Sequence, residues 1–375
     1  MRILVRAGMH NRRDCPVSVR TGSRPEGRHP VLVEEETRRA IPAQVEPEGE
    51  EILLWWVLDN LPAGAERAYT LEWREEPLSE GVHLVQREGQ VEVVVLGQAF
   101  TTYHCGPEWV RPFLYPLIGP YGLSMTRRLA RSEDKDMDHH HHRSFWVAHG
   151  DVNGVDNWSE MEGHGRTLHR EFLRLDGGPV FGRIVAVGDW VSVEGRKVLE
   201  EVRDLRIYAL PDRCRLVDMD VELKAAEGDA TFGDTKEGGI ASLRVQPSME
   251  VRNGGRIENS YGAIGEKEAW GKRASWCDYS GPVEGRWVGM ALMDHPEGFR
   301  YPTYWHVRDY GLMTANPFGL SHFYNDPNRR GDHILRAGES IKFRYRLYVH
   351  VGDAREGQVA EKYHDFVNPP EVLSG

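Results

Sequence analysis

Four consecutive histidines, His139 to His142, stand between Asp138 and Arg143, with Trp146 a few residues further on. Imidazole has the side-chain pKa closest to neutrality and is also the commonest metal ligand. Beside an acid, a guanidinium and an indole, it supplies what a polar small-molecule site needs: a proton carrier, donors for hydroxyls or carboxylates, and a flat apolar surface. Read as an extended segment, the run points His139, His141 and Arg143 one way and His140 and His142 the other. His139 and His141 then form an H-x-H pair. Such a pair holds a metal only if a third ligand arrives from elsewhere, such as His149, Glu162, His164 or His169. Without a metal, His141 or His142 serves as acid or hydrogen-bond donor to a sugar oxygen, while Arg143 holds a hydroxyl or carboxylate. The strand-like run Phe145–His149 follows and closes on Asp151-Val152-Asn153-Gly154. There Asp151 and Asn153 either bind hydroxyls or form an Asx turn.

Two later segments carry comparable chemistry. Asp234-Thr235-Lys236-Glu237-Gly238-Gly239 sets an acid beside a lysine at the mouth of a strand. Glu237 is the carboxylate expected to pair with a histidine, because opening a hemiacetal moves protons on both sides of the ring. Lys236 either tunes that carboxylate or binds an acidic sugar, and the competing reading is an exposed ion pair of little energetic weight. Tyr301–Gly311 then brings together aromatic, imidazole, guanidinium and carboxylate groups. Trp305 is expected to stack on a ligand, His306 and Arg308 to make polar contacts, and Asp309 to orient one of them. Asn316 follows in a turn expected to line the same cleft. The expected catalytic groups are therefore His142, Glu237 and His306. The expected binding groups are His139, His141, Arg143, Asp151, Asn153, Lys236, Trp305, Arg308, Asp309 and Asn316.

The elements that position these groups read as strands. Val217, Met219, Val221 and Leu223 alternate with charged residues, and so do Ile341, Phe343, Tyr345, Leu347 and Val349 with largely polar ones. Each run puts one face in a core and the other toward solvent, as in an antiparallel sheet. Further strands are expected near Ile52–Leu58, Ala68–Trp73, Val91–Leu96, Phe172–Leu175, Ile184–Val193, Leu205–Leu210, Ile240–Val245 and Trp287–Met293, separated by Gly-rich turns. One helix is expected at Gln358–Phe366, stopped by Asn368-Pro369-Pro370. Many strands and little helix mean an all-β chain, a large antiparallel β-sandwich. At 375 residues the chain is long for one domain. A boundary is expected near Pro77–Gly81, giving a small N-terminal β module (1–80, with a polar loop at 20–28) and a main β-sandwich domain (81–375) that carries the site.

Composition removes several classes. The net charge is −11, which argues against a nucleic-acid partner and against an anionic membrane surface. No run approaches the ~18 apolar residues of a membrane span. The amino terminus lacks an adequate apolar signal region, so a cytoplasmic location is expected. The four cysteines are far apart and contain no C-x-x-C, as expected of free thiols. H-E-x-x-H, G-x-S-x-G, Walker and G-x-G-x-x-G patterns are all missing.

Four segments occur in a telling order: RPFLYPLIGPYGLSMTR, DHHHHRSFWVAHGDVNGVDNW, DTKEGGIASLRV and HPEGFRYPTYWHVRDYGLMTANPFG. Together they resemble the PmoA-like family of bacterial proteins, from about Tyr103 to Val351. That family's usual histidine segment has proline where His140 stands and glycine where Ser144 stands. The resemblance therefore supports His139, His141 and His142 and leaves His140 as a passenger. It also implies a supersandwich similar to galactose-mutarotase-like proteins, which commonly handle carbohydrates. The expected function is a carbohydrate-active hydrolase, lyase or epimerase acting on a small-molecule carbohydrate. The alternatives are a non-catalytic carbohydrate-binding protein and a metal-dependent lyase or oxygenase centred on His139 and His141.

Overall fold

The computed structural model describes residues 1–22, 25–49, 51–130, 134 and 137–375. Ser23 and Arg24, inside the polar loop at 20–28, lie outside the described residues. The chain forms three large antiparallel sheets. Two eight-stranded sheets face each other. One runs in the order Trp305–Arg308, Leu312–Ala315, Gly238–Arg244, Phe145–His149, Phe113–Tyr115, Gln98–His104, Gln90–Val95 and Val82–Arg87. The other contains Arg166–Asp176, Phe181–Val191, Lys197–Tyr208, Cys214–Lys224, Ser340–Val351, Arg286–Asp294, Trp276–Val283 and Arg256–Asn259. Between them lies one apolar core, to which Val147, Ile240, Leu243, Trp305 and Met313 contribute from the first sheet and Val217, Met219, Met290 and Leu347 from the second. This is the expected all-β sandwich.

A seven-stranded sheet holds the strands between Arg2 and Arg74 around its own core of Ile3, Val5, Leu54, Trp56 and Tyr69. The chain's last strand, Glu371–Ser374, returns to pair with Arg2–Arg6. This sheet is fastened to the sandwich: Trp55 and Val57 pack with Phe181 and Tyr208, and buried Glu46 binds Arg174, Arg183 and Arg206 at 2.7, 2.7 and 2.8 Å. That docking changes the reading of Ser340–Val351. Ile341 to Val349 face the core as the alternation requires, but Arg346, Tyr348 and His350 on the opposite face are also buried. The helix Val359–Val367 and the N-terminal sheet cover this end of the strand, so the face expected to meet solvent is an inner surface there, while on the same face Lys342 stays exposed and Arg344 partly so. All four cysteines are free, and only Cys105 is incompletely buried. Among the described residues no helix is long and apolar enough to cross a membrane.

Candidate functional site

Strand alternation decides which residues reach the outer face of the first sheet. Trp146 pairs with Ser242, Ser242 with Thr314, and Thr314 with His306. These four form one row across four strands, spanning about 14 Å by the usual inter-strand spacing. The Ser242 and Thr314 hydroxyls are 2.7 Å apart in that row, and Gly239 beside them is obligatory, since a Cβ there would fall 1.4 Å from Thr314 Oγ1. Arg244, Leu312 and Arg308 form the next row. The same alternation turns Trp305 the other way. It is fully buried in the core, with its indole N–H donated to the Ala274 carbonyl at 2.9 Å. The expected stacking role of Trp305 is therefore corrected: its neighbours His306 and Arg308 have the outer face.

The histidine run is a turn, not a strand. His142 N–H donates to the His139 carbonyl at 3.0 Å, and His139 and Ser144 have φ of +45° and +75°. A left-handed backbone strains a residue with a Cβ, and Ser144 carries that strain at the exit of the turn. The expected alternation of ring directions fails as a result. His142 stacks on Trp146 (centroids 5.3 Å apart) and on His139 (4.8 Å), and His139 stacks in turn on Tyr310 (4.9 Å). His141 meets His142 edge-on at 4.5 Å. His140 turns away, with Nε2 3.0 Å from the Asp134 carbonyl oxygen.

Hydrogen-bond logic fixes the protonation of three of these rings. Arg244 Nη1 donates to His142 Nδ1 at 3.1 Å, and the Trp270 indole N–H donates to His306 Nδ1 at 3.1 Å. Guanidinium and indole can only donate, so in both histidines Nδ1 is the acceptor and Nε2 carries the hydrogen. Burial, then Arg308, Lys236, His322 and His139, push His306 down to about 3. Burial, His141, Arg244, His139 and Arg127 hold His142 well below its ordinary value. Both are neutral donors at neutral pH. His139 is set the opposite way: its Nδ1 lies 2.9 Å from Asp138 Oδ2, and a carboxylate accepts, so the lone pair of the neutral ring is on Nε2. Asp138 is clamped by Arg127 at 2.6 Å and Arg244 at 2.9 Å. Burial acts to raise its pKa, but Arg244, His139 and Arg127 more than offset this and hold it below the ordinary carboxylate value.

The three segments converge. His139 stacks on Tyr310, and the Lys236 carbonyl is held by Asn316, two residues beyond the Thr314 that pairs with His306. Arg244 and Arg308 also lie against the Tyr310 ring, at 4.9 and 5.4 Å from its centroid. Lys236 and Glu237 form an ion pair with each other, and both remain more than a third exposed.

Several expected binding groups turn out to hold the scaffold. Asn316 is fully buried. It donates to the Thr235 and Lys236 carbonyls at 2.9 and 3.2 Å and accepts from the Phe318 and Gly319 amides, so it positions the Lys236–Glu237 loop and cannot touch a ligand. Asp309 orients neither His306 nor Arg308. It is bonded to the backbone N–H of Glu266 at 3.2 Å, while Trp270 orients His306 and Glu266 pairs with Arg308 at 2.8 Å. Asp151 accepts from Gly154 N–H, three residues on, at 2.9 Å and so closes its own turn, and Asn153 ties that turn to Asp229 and Thr231. Arg143 is bound to Glu160 and to the Ala130 carbonyl. It lines an adjoining cavity of about 870 Å³ with Trp109, Tyr115 and His140. His149 is buried with Nε2 3.0 Å from the Gly233 carbonyl oxygen, and burial lowers it to about 4. Among the described residues no group of three or more His, Cys, Asp or Glu is arranged to hold a metal ion.

Sequence reasoning did not assign Arg127, Arg244, Trp270 or Tyr310. Arg127, Arg244 and Tyr310 lie inside the four quoted segments, but nothing local says that Arg244 reaches His142. Trp270 has no sequence signal beyond being a tryptophan.

No curated protein matches this chain. Among solved structures it is similar to a protein in glycosyl hydrolase family 38 from Enterococcus faecalis, with a TM-score of 0.44 and 9% identity over 100% of this chain and 47% of that one. It is similar likewise to an alpha-mannosidase from Enterococcus faecalis V583, with a TM-score of 0.45 and 8% identity over 100% of this chain and 46% of that one. The chain thus spans about half the length of these structures. Residues 90–364, which include every strand of the site and the whole histidine turn, match the family of unknown function DUF6807, and the chain belongs to that family.

Proposed function

We propose that this chain is a carbohydrate-active enzyme of the lyase or epimerase type, with His139 as general base and His306 as neutral hydrogen-bond donor. The observation that carries this reading is the opposite setting of the two rings on one face: an Asp138-bound imidazole whose Nε2 is the acceptor, and a buried, Trp270-bound imidazole whose Nε2 carries the hydrogen. A neutral imidazole donor best stabilises negative charge that develops on an oxygen. The pair suits removal of a proton from a sugar carbon next to a carbonyl or carboxylate. His139 takes the proton, the electron pair moves onto the adjacent oxygen, and His306 Nε2–H stabilises that oxyanion. Delivery of a proton from water to the opposite face, while His139 releases its own proton to solvent, gives an epimer. Expelling the neighbouring glycosidic oxygen, which takes the proton that His139 removed, gives an unsaturated product. Glycoside hydrolysis fits less well, because protonating a leaving oxygen needs a stronger acid than imidazoles held neutral at pH 7. The quoted segments' resemblance to PmoA-like proteins, with its implied mutarotase-like fold, also supports a sugar substrate.

In this reading His142 and Arg244 hold the shape of the His139 face, and the Lys236–Glu237 pair binds rather than turns over. A second reading, a carbohydrate-binding protein without turnover, draws on that same ion pair, whose carboxylate is 47% exposed. The test is deuterium wash-in: neutral sugars, uronates and keto-sugars are incubated with the protein in D2O and followed by NMR. The expected result is carbon-bound exchange or elimination that His139→Gln and Asp138→Asn each reduce at least about a hundredfold. Equal exchange by wild type and His139→Gln would overturn the assignment. Sugar binding with neither exchange nor cleavage would give the second reading.

A further inference from the structure

The outer face does not end at His306. Two residues back along the same strand direction Tyr304 faces the same side, about 6.6 Å away by strand geometry, and the Asn316 amide bonds its carbonyl at 2.8 Å, continuing the pairing of Thr314 with His306. Tyr304 stacks on Phe323 at 5.7 Å and its hydroxyl lies 3.2 Å from that of Tyr324. Phe323 meets edge-on, at 5.3 Å, the same Trp270 that fixes His306. Aromatic surface therefore runs without a break from His306 through Trp270, Phe323 and Tyr304 to Tyr324, which is 41% exposed.

Two guanidinium groups lie on this shelf. Arg329 sits 3.6 Å from the Tyr324 centroid, and Arg273 sits 5.5 Å from that of Tyr304. Among the described residues neither arginine is ion-paired. Arg273 donates only to the Pro302 and Tyr301 carbonyls, at 2.8 and 2.9 Å. On a chain of net charge −11, where most arginines carry a carboxylate, two uncompensated cations on an exposed aromatic shelf leave donor capacity facing outward. An acidic sugar residue matches this surface. Its C–H face packs on phenol rings, its hydroxyls meet a pair of phenolic O–H groups, and its carboxylate takes charge-assisted bonds from guanidinium.

We propose that Tyr304, Tyr324, Arg273 and Arg329 form a second subsite that takes the next residue of an acidic oligosaccharide whose reacting residue sits at His306. The inference rests on the carbohydrate reading above and adds the substrate class, an oligouronate.

The test is calorimetry on the full chain with uronate monosaccharides, short oligouronates (polygalacturonate, alginate and glucuronan fragments) and neutral oligosaccharides of matching length. The readout is the ratio of oligouronate to monomer affinity. The expected ratio is about tenfold or more in wild type, falling toward one in Tyr324→Ala/Arg329→Gln and with rising salt. Tyr324 and Arg329 are surface residues, and an unchanged melting temperature certifies the variant. If oligouronates bind but the ratio is the same in the variant, or if neutral oligosaccharides bind as tightly, the subsite is overturned while the site at His306 stands. If no saccharide binds wild type at all, the carbohydrate reading falls and the subsite with it.

Discussion

The neutral state of His306 has a measurable consequence for stability. Above its ordinary pKa near 6.5 the ring is neutral in both the folded and the unfolded chain. As pH falls through that value the unfolded chain takes up a proton that the folded chain, with His306 at about 3, refuses. The stability this ring supports is thus fully present above about pH 6.5 and is lost progressively toward pH 3, at about 1.4 kcal/mol per pH unit and about 5 kcal/mol in all. His141, lowered to about 3, and His149, lowered to about 4, act in the same direction. Asp294 acts against them: burial raises it to about 7, so the folded state binds that proton first and gains stability as pH falls below neutrality. Because these effects overlap, the useful quantity is the difference between wild type and His306→Gln, whose side-chain carbonyl can still accept from Trp270. Urea unfolding of both proteins across the pH range gives it. The stability advantage of wild type is expected to shrink by about 2 kcal/mol between about pH 6.5 and about pH 5. Parallel curves would refute the neutral ring. An advantage that grew with acid would mean that folded His306 is protonated.

Four further outcomes are expected. Trp270→Phe keeps the aromatic contact with Phe323 but leaves His306 Nδ1 without its donor, at a cost of about 1–3 kcal/mol, and imidazole 15N shifts should change from a single Nε2–H form to a tautomer mixture. Trp305→Ala empties a core position and costs about 3–5 kcal/mol in urea unfolding, like any large-to-small core change. Glu46→Gln removes the carboxylate shared by Arg174, Arg183 and Arg206, of which the first two keep Asp176 and Asp204, and costs about 1–3 kcal/mol, read as a lower melting temperature. Iodoacetamide followed by mass spectrometry should modify Cys105 alone in the native protein, and slowly, because burial and Glu108 push that thiol up to about 11.

Much of the scaffold was legible in the residues because strands with one face on a core advertise a period of two. Phe145–His149 has the expected bounds, and Val217 to Leu223 and Ile341 to Val349 put the expected side chains inward. The same rule held the answer for Trp305: once His306 and Arg308 face outward, Trp305 and Val307 must face the core. The histidine run misled for a definite reason. Alternating ring directions require an extended backbone, whereas positive φ at His139 and at Ser144 just beyond the run folds it into a turn and gathers His139, His141 and His142 on one side. Asn316, Asp309, Asp151 and Asn153 were polar residues in loops, and side chains of that kind satisfy neighbouring backbone groups as readily as they bind ligands.

By itself the sequence determined an all-β chain and the segments in which its polar chemistry is concentrated, because periodicity and residue type are local properties. It also determined which histidines could matter. Only the tertiary structure decided what state each is in. A histidine's tautomer is set by the partner of its other nitrogen, and those partners come from distant strands and loops: Arg244 for His142, Trp270 for His306. Asp138, the neighbour in sequence, sets His139 alone. The contrast between one imidazole left as acceptor and two left as donors arises from contacts across the sheet, which no spacing of residues encodes.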